Sequence, residues 1–190
     1  MGDQITRGAA RWATLIAVPA ALLAGLGIFA GMGGFGGDGA APEPTTTTPR
    51  PQATTPVPMA ATALSPRAES VCRALLARLP DALRDRARRP VTAGPEQNAA
   101  YGDPAITVSC GTPMPVFPPT DLVYPLDRVC WHAAETPDAT VWTTVDRELS
   151  VRVRVPRAYE QPGQWVIALS PSVTAAIPRA AAGKIPSGCG

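Results

Sequence analysis

The segment from residue 149 to residue 156 has the sequence LSVRVRVP, and it decides the fold. Valines occupy every second position from residue 151, and the arginines Arg152 and Arg154 lie between them. Successive side chains of a β-strand point to opposite faces, so the valines share one face and the arginines share the other. The segment therefore predicts a strand of an antiparallel sheet that buries one face and exposes the other.

The segments around this strand extend it into a sheet. Residues 141–145 form the preceding strand, and only Asp146, Arg147 and Glu148 separate the two. Three residues are too few for a crossover helix, so the two strands should form an antiparallel hairpin. Further strands are expected at residues 105–110 and 128–132, and helical segments at residues 66–79, 80–88 and 162–177. Together they predict an α+β domain, a small antiparallel sheet with helices packed on one face.

The N-terminal part of the chain has the pattern of a membrane anchor. Arg7 and Arg11 precede an uncharged apolar run at residues 12–30. A helix of that length spans about 28 Å, close to the hydrocarbon thickness of a bilayer. The positive-inside rule places residues 1–11 in the cytoplasm, which predicts a single-pass protein of the plasma membrane with an extracytoplasmic domain. A cleaved signal peptide is the alternative interpretation of the same run.

The composition changes sharply after the apolar run. Residues 31–66 are first rich in glycine and then rich in proline and threonine, with few large apolar side chains. Such a segment cannot bury enough surface to fold alone, so it predicts a disordered linker. The threonines interleaved with proline are also typical of an O-glycosylated stalk, and an unmodified spacer is the alternative. Residues 67–190 remain as one domain, large enough to bury a core.

The chain contains four cysteines, and all of them lie in the expected extracytoplasmic domain. An even number in an oxidising compartment predicts two disulfides. Cys72 belongs to an apolar helical stripe and Cys110 continues the inward alternation of its strand, so both face the core. Cys130 points to the opposite face of its strand, where the C-terminal segment with Cys189 could reach it. The pattern therefore favours a disulfide-stapled domain with the pairs Cys72–Cys110 and Cys130–Cys189.

Zinc binding is the alternative use of these cysteines. The sequence has no Cys-x-x-Cys pair, and Cys130 and His132 lie only two residues apart on one predicted strand. That spacing does not suit two ligands of a tetrahedral site. The sequence also has no phosphate-binding loop and no dinucleotide fingerprint. We therefore predict neither a metal site nor a cofactor.

Charge and motif content argue against several classes of function. The formal net charge is only +2, so no broad positive field favours nucleic acid. His132 is the only histidine, and no Gly-x-Ser-x-Gly motif accompanies it. Asp146 and Glu148 could project from one side of an extended chain as a catalytic carboxylate pair, but their position in a turn predicts that both are solvated. We predict no catalytic residue.

Several short motifs occur in a fixed order behind the apolar run. They are Cys72 with Leu79-Pro80, Tyr101-Gly102-Asp103-Pro104, Cys110-Gly111, Val129 before Trp131, Arg147, and the strand at residues 151–156 with Tyr159. In this order, over residues 72–178, the chain resembles the actinobacterial envelope proteins catalogued as domain of unknown function 3515. The resemblance implies an exported single domain of unassigned activity and carries over no catalytic residue. Cys130 and Cys189 are additions to the usual pattern of the family.

Three residues form the candidate binding surface: Trp142, Arg152 and Arg154. Trp142 lies on the face of its strand opposite Val141 and Val145, and aromatic faces suit sugar or peptide ligands. We expect a non-catalytic envelope module, attached to the membrane by its N-terminal helix, that binds an envelope protein or a cell-wall component. The alternative is an unrecognised enzyme acting on cell-wall precursors, for which converging carboxylates in a cleft would be the sign.

Overall fold

The computed structural model describes residues 52–189. Within these residues the chain forms three helices and eight strands. The helices are α1 (Pro66–Leu76), α2 (Gly163–Ile167) and α3 (Ser170–Ala176). The strands are β1 (Ala82–Leu83), β2 (Arg86–Arg89), β3 (Asn98–Tyr101), β4 (Ile106–Thr112), β5 (Val123–Leu126), β6 (Val129–Glu135), β7 (Ala139–Thr144) and β8 (Ser150–Pro156).

All the strands join one antiparallel sheet in the order β1-β2-β3-β4-β8-β7-β6-β5. The sheet consists of two meanders, β1 to β4 and β5 to β8, whose last strands pair at its centre. The expected hairpin of β7 and β8 is present, with Trp142 opposite Val153. The α+β class predicted from the sequence is therefore confirmed, although the sheet is larger than expected.

The helices begin and end close to the predicted positions. Ser65 caps α1, its side chain accepting a hydrogen bond from the backbone N–H of Ala68, and Pro66 occupies the first turn, where a missing N–H costs nothing. The predicted C-terminal helix is divided into α2 and α3 where Ser170 and Pro171 start the second piece. The buried residues of α1 pack against β4 and α3. The helices thus cover one face of the sheet.

The helix-covered face contains the main core. Val151, Val153 and Val155 point to this face and are completely buried, as the alternation in β8 predicts. The first disulfide, Cys72–Cys110, joins α1 to β4 inside this core, with a Cα–Cα distance of 5.5 Å. Helix and sheet are therefore joined both by apolar packing and by a covalent bond.

The opposite face of the sheet, called the open face below, has a separate small apolar cluster. Cys130 forms a disulfide with Cys189 there, and Val145 packs against the pair. The bond holds the C-terminal segment against β6, and Arg179 adds a hydrogen bond from its guanidinium to the carbonyl of Cys189. The structure thus has the two disulfides expected from the sequence, with the same pairing, one on each face.

Residues 80–88 differ from the prediction of a short helical turn, because β1 and β2 form a hairpin there. Two arginines of β2 bond to backbone carbonyls of other elements. Arg88 donates to the carbonyl of Leu76, and Arg89 donates to those of Thr55 and Gly102. A run of arginines does not by itself predict a strand. The partners of these arginines are distant in sequence, so the sequence pattern does not show the bonds.

Residues 52–65, called the strap below, were expected to belong to the disordered linker but lie against the domain. Val57 is buried and pairs with Val91 in a parallel bridge. The side chain of Gln97 bonds both the N–H and the carbonyl of Thr62, and Asn98 donates to the carbonyl of Ala60. The strap is fixed mainly through backbone hydrogen bonds, which a composition poor in apolar residues does not reveal.

The predicted membrane segment, residues 12–30, and most of the predicted linker lie outside the described residues. From residue 52 to residue 189, no helix combines the length and the apolar character needed to cross a bilayer.

Candidate functional site

A groove of about 790 Å³ lies on the open face, along β4 and β8, with the strap on one side. Its floor is polar because the residues that alternate with the buried ones of β4 and β8 point into it. Thr107 and Ser109 come from β4, and Arg152 and Arg154 come from β8. Binding sites for small molecules have volumes of this size. The groove is therefore the candidate functional site.

Arg152 has no carboxylate partner among residues 52–189. Its guanidinium makes a single long hydrogen bond, 3.5 Å, to the carbonyl of Pro113. Ser109 and Thr143 are its cross-strand neighbours on either side. A partly exposed guanidinium that is not neutralised has donors available for a negatively charged group.

The other groove arginines already have partners. Arg154 forms an ion pair with Asp138, whose side chain is 69% exposed. Arg157 donates to the carbonyl of Thr136 and lies 3.2 Å from a carboxylate oxygen of Glu135. The positive charge that remains is therefore concentrated at Arg152, with Arg154 beside it.

Trp142 does not belong to the open face, and the candidate surface must be corrected for this residue. It lies opposite Val153 on the helix-covered face, is only 6% exposed and packs edge-on to Tyr124. The sequence interpretation took Val141 as an inward residue, but Val141 lies opposite Arg154 on the open face. The apolar content of β7 does not fix the alternation, because its other inward residues are threonines.

Asp146 and Glu148 do not converge, and Asp146 is not solvated as expected. Asp146 is 2% exposed and lies 3.3 Å from the guanidinium of Arg147 and 3.9 Å from that of Arg179. Glu148 instead bonds Arg67 of α1 through both carboxylate oxygens, at 2.5 and 2.8 Å. Hydrogen bonding from Arg67 holds the pKa of the Glu148 carboxyl below its ordinary value. Both carboxylates join elements of the fold.

His132 lies on the open face outside the groove lining. Phe117 stacks on its ring with centroids 4.1 Å apart, and Nε2 lies 3.2 Å from a carboxylate oxygen of Asp121. The packing holds the loop before β5 against β6. All four cysteines form disulfides, and the described part of the chain holds no cluster of three or more His, Cys, Asp or Glu side chains suited to a metal.

Two tyrosines of the core have pKa values displaced by burial. Burial raises the pKa of Tyr101 to about 12, and its hydroxyl donates to the carbonyl of Pro80 at 2.9 Å. Burial also raises the pKa of Tyr159, whose hydroxyl donates to the carbonyl of Pro104 at 2.7 Å. Both hydroxyls remain protonated donors at neutral pH. The first bond holds the connection between α1 and β1, the second holds the turn between β3 and β4, and neither hydroxyl lines the groove.

The hydroxyls of the groove and the contribution of the strap were not predicted from the sequence. The signal for Thr107 and Ser109 was present, because they alternate with Ile106, Val108 and Cys110. The same rule that placed the arginines of β8 outward places these hydroxyls outward as well. The strap had no comparable signal.

The fold and the groove define a class of protein, a disulfide-bonded α+β domain with helices on one face of its sheet and a polar groove on the other. The chain belongs to the family described as protein of unknown function (DUF3515), which matches residues 40–182. The family suggested by the sequence motifs is thus confirmed, and the match includes the strap. No curated protein and no solved structure matches the chain.

Proposed function

We propose that this chain is a non-catalytic binding module of the cell envelope. Its N-terminal segment would anchor it in the plasma membrane, and its domain would bind an envelope protein or a cell-wall component outside the membrane. The two disulfides support an oxidising compartment, since such bonds are rare in reducing cytosol. The binding site is the groove on the open face.

The observation that carries this proposal is the environment of Arg152. Arg152, which has no carboxylate partner among residues 52–189, lines an open groove, and its neighbours on the adjacent strands are the hydroxyl-bearing residues Ser109 and Thr143. Arginines on a protein surface are ordinarily solvated, but here the sheet fixes the backbone on both sides of Arg152. A ligand that supplies an acceptor gains charge-assisted hydrogen bonds at a small cost in ordering the site.

The test uses the full-length chain in the envelope of cells that produce it. A photocrosslinking amino acid at Ser109 should capture a partner, whereas the same amino acid at Ser70, exposed on α1, should not. The double substitution Arg152→Gln/Arg154→Gln should remove the Ser109 crosslink. Arg73→Gln, an exposed substitution on α1 that removes one positive charge away from the groove, is the control and should leave it unchanged.

Recovery of the same partners by the Arg152→Gln/Arg154→Gln variant would show that the groove is not the binding surface. Crosslinks from Ser70 that exceed those from Ser109 would move the site to the helix-covered side. A low-molecular-weight adduct at Ser109 that is chemically converted during incubation would contradict the non-catalytic part of the proposal.

A further inference from the structure

We infer that the groove takes an extended acidic peptide whose carboxylates occur on alternate residues. The inference rests on the proposed function of the groove and names the chemistry of its ligand. It comes from the pairing register of β4 and β8, which twice places a hydroxyl-bearing residue opposite an arginine. Thr107 lies opposite Arg154, and Ser109 lies opposite Arg152.

Each of these cross-strand pairs suits one carboxylate. Residues directly opposite in an antiparallel sheet have Cβ atoms about 4.5 to 5.5 Å apart. One carboxylate can therefore accept from a guanidinium with one oxygen and from a hydroxyl with the other. Among residues 52–189, neither Thr107 nor Ser109 forms a side-chain hydrogen bond to another protein group, so both hydroxyls are available.

The spacing of the two pairs matches an extended polypeptide. Arg152 and Arg154 are two residues apart on β8, a separation of about 6.6 to 6.8 Å along a strand. A ligand peptide in extended conformation repeats its side chains on one face at the same distance, because its backbone has the same geometry. Carboxylates at positions i and i+2 of the ligand therefore reach both pairs, whereas adjacent carboxylates point to opposite sides.

Asp138 shows that a carboxylate fits at Arg154. It occupies this position from the turn before β7, and with 69% of its side chain exposed it gains little from the ion pair. A ligand carboxylate can replace it at a low cost. Asp138 then competes with the ligand for the pair Thr107 and Arg154. The pair Ser109 and Arg152 has no such competitor among residues 52–189.

The peptides for the test differ only in the order of their residues. One is acetylated and amidated Thr-Glu-Thr-Glu-Thr, and the other is Thr-Glu-Glu-Thr-Thr with the same ends. Binding to the full-length chain in uncharged detergent micelles is measured by calorimetry at low salt. A charge-assisted second contact should make the alternating peptide bind about tenfold tighter.

Variants of the chain identify the contacts. Arg152→Gln should weaken binding of the alternating peptide about tenfold or more, as loss of a charge-assisted hydrogen bond predicts. Asp138→Asn should strengthen it severalfold, because Arg154 loses its competitor. Arg73→Gln on α1 should change neither peptide's affinity.

Equal affinity for the two peptides, or weaker binding by the Asp138→Asn variant, would overturn the proposed register. A glycerol-phosphate oligomer that binds through Arg152 more tightly than either peptide would overturn the peptide class. Failure of both peptides to bind, with a Ser109 crosslink that still depends on the two arginines, would reject the acidic peptide and leave the groove as a binding site. If neither peptide binds and the Ser109 crosslink does not depend on the two arginines, the proposed function is rejected as well.

Discussion

The two faces of the sheet are built from the same strands but differ in burial and in side-chain chemistry. Along β8 the valines are completely buried against the helices, while Arg152 and Arg154, one position away, remain partly exposed on the open face. Stability therefore depends on one set of side chains and the proposed binding on the other. Because the side-chain period of a strand is two, a substitution can change one property with little effect on the other.

The two disulfides repeat this contrast. Cys72–Cys110 lies within the main core between α1 and β4, whereas Cys130–Cys189 lies in a small cluster and holds the C-terminal segment. Their sequence separations are 38 and 59 residues, but loop-closure entropy grows only with the logarithm of this length. The difference between them is thus in packing more than in loop entropy.

Removal of the core disulfide should give the largest loss of stability. Replacing Cys72 and Cys110 with alanine should lower the free energy of unfolding by about 5 kcal/mol, about 4 from loop entropy and the rest from lost core packing. Replacing Cys130 and Cys189 in the same way should cost about 4 kcal/mol, since their cluster is small. Urea unfolding of both variants measures the difference. If replacing Cys130 and Cys189 lowered the free energy of unfolding more than replacing Cys72 and Cys110, the proposed difference between the two faces would be wrong.

Trp142 tests whether the boundary between the faces is correctly placed. Trp142→Ala should lower the free energy of unfolding by about 3 to 4 kcal/mol, because it leaves a large cavity beneath α2. The ring carbons of Trp142 approach Gly163 of α2 closely. Crosslinking from Ser109 should persist in the fraction that remains folded. If the Trp142→Ala variant kept its stability but lost the Ser109 crosslink, Trp142 would belong to the binding surface.

Neighbouring residues of β8 give the sharpest comparison. Val153→Ala should cost about 2 kcal/mol, because it removes two methyl groups from a fully buried side chain. Arg152→Ala should change stability by no more than about 0.5 kcal/mol, as expected for a surface position. Urea unfolding of the two variants under the same conditions is the measurement. Equal losses would show that Arg152 has a structural role that its single long hydrogen bond does not suggest.

The parts of the fold that the sequence predicted are those with local signals. The alternation of β8, the short connection before it and the Ser65-Pro66 cap each specify their conformation over a few residues. The cysteine pairing also followed from local alternation on β4 and β6. In each case the side chains that determine the structure are close together in the chain.

The parts that the sequence did not predict depend on distant partners. The strap is fixed by Gln97 and Asn98, and Arg88 and Arg89 of β2 bond to carbonyls of other elements. Asp146 is buried because Arg147 and Arg179 surround it. The sequence placed Arg152 and Arg154 on the correct face of the sheet but placed Trp142 on the wrong one, since threonines fill the other inward positions of β7. Hydrogen bonds between residues distant in the chain produce no periodic pattern in the sequence, so the sequence does not predict them.

Buried tyrosines make the stability of the helix-covered face depend on pH. The pKa of Tyr101 is raised from 10.0 to about 12 in the folded domain, so between these values the unfolded chain releases its proton while the folded domain keeps it. The free energy of unfolding must therefore fall as the pH rises through this interval.

Tyr101→Phe should cost about 1 kcal/mol at neutral pH, because the hydrogen bond to Pro80 is lost. It should also reduce the alkaline loss of stability, leaving the part due to Tyr159, whose pKa is raised as well. Arg152→Gln on the open face should keep the full alkaline loss. Urea unfolding at pH values from about 9 to about 11.5 measures these slopes. Identical slopes for Tyr101→Phe and the unsubstituted chain would contradict a buried, protonated hydroxyl at this position and weaken the distinction between the two faces.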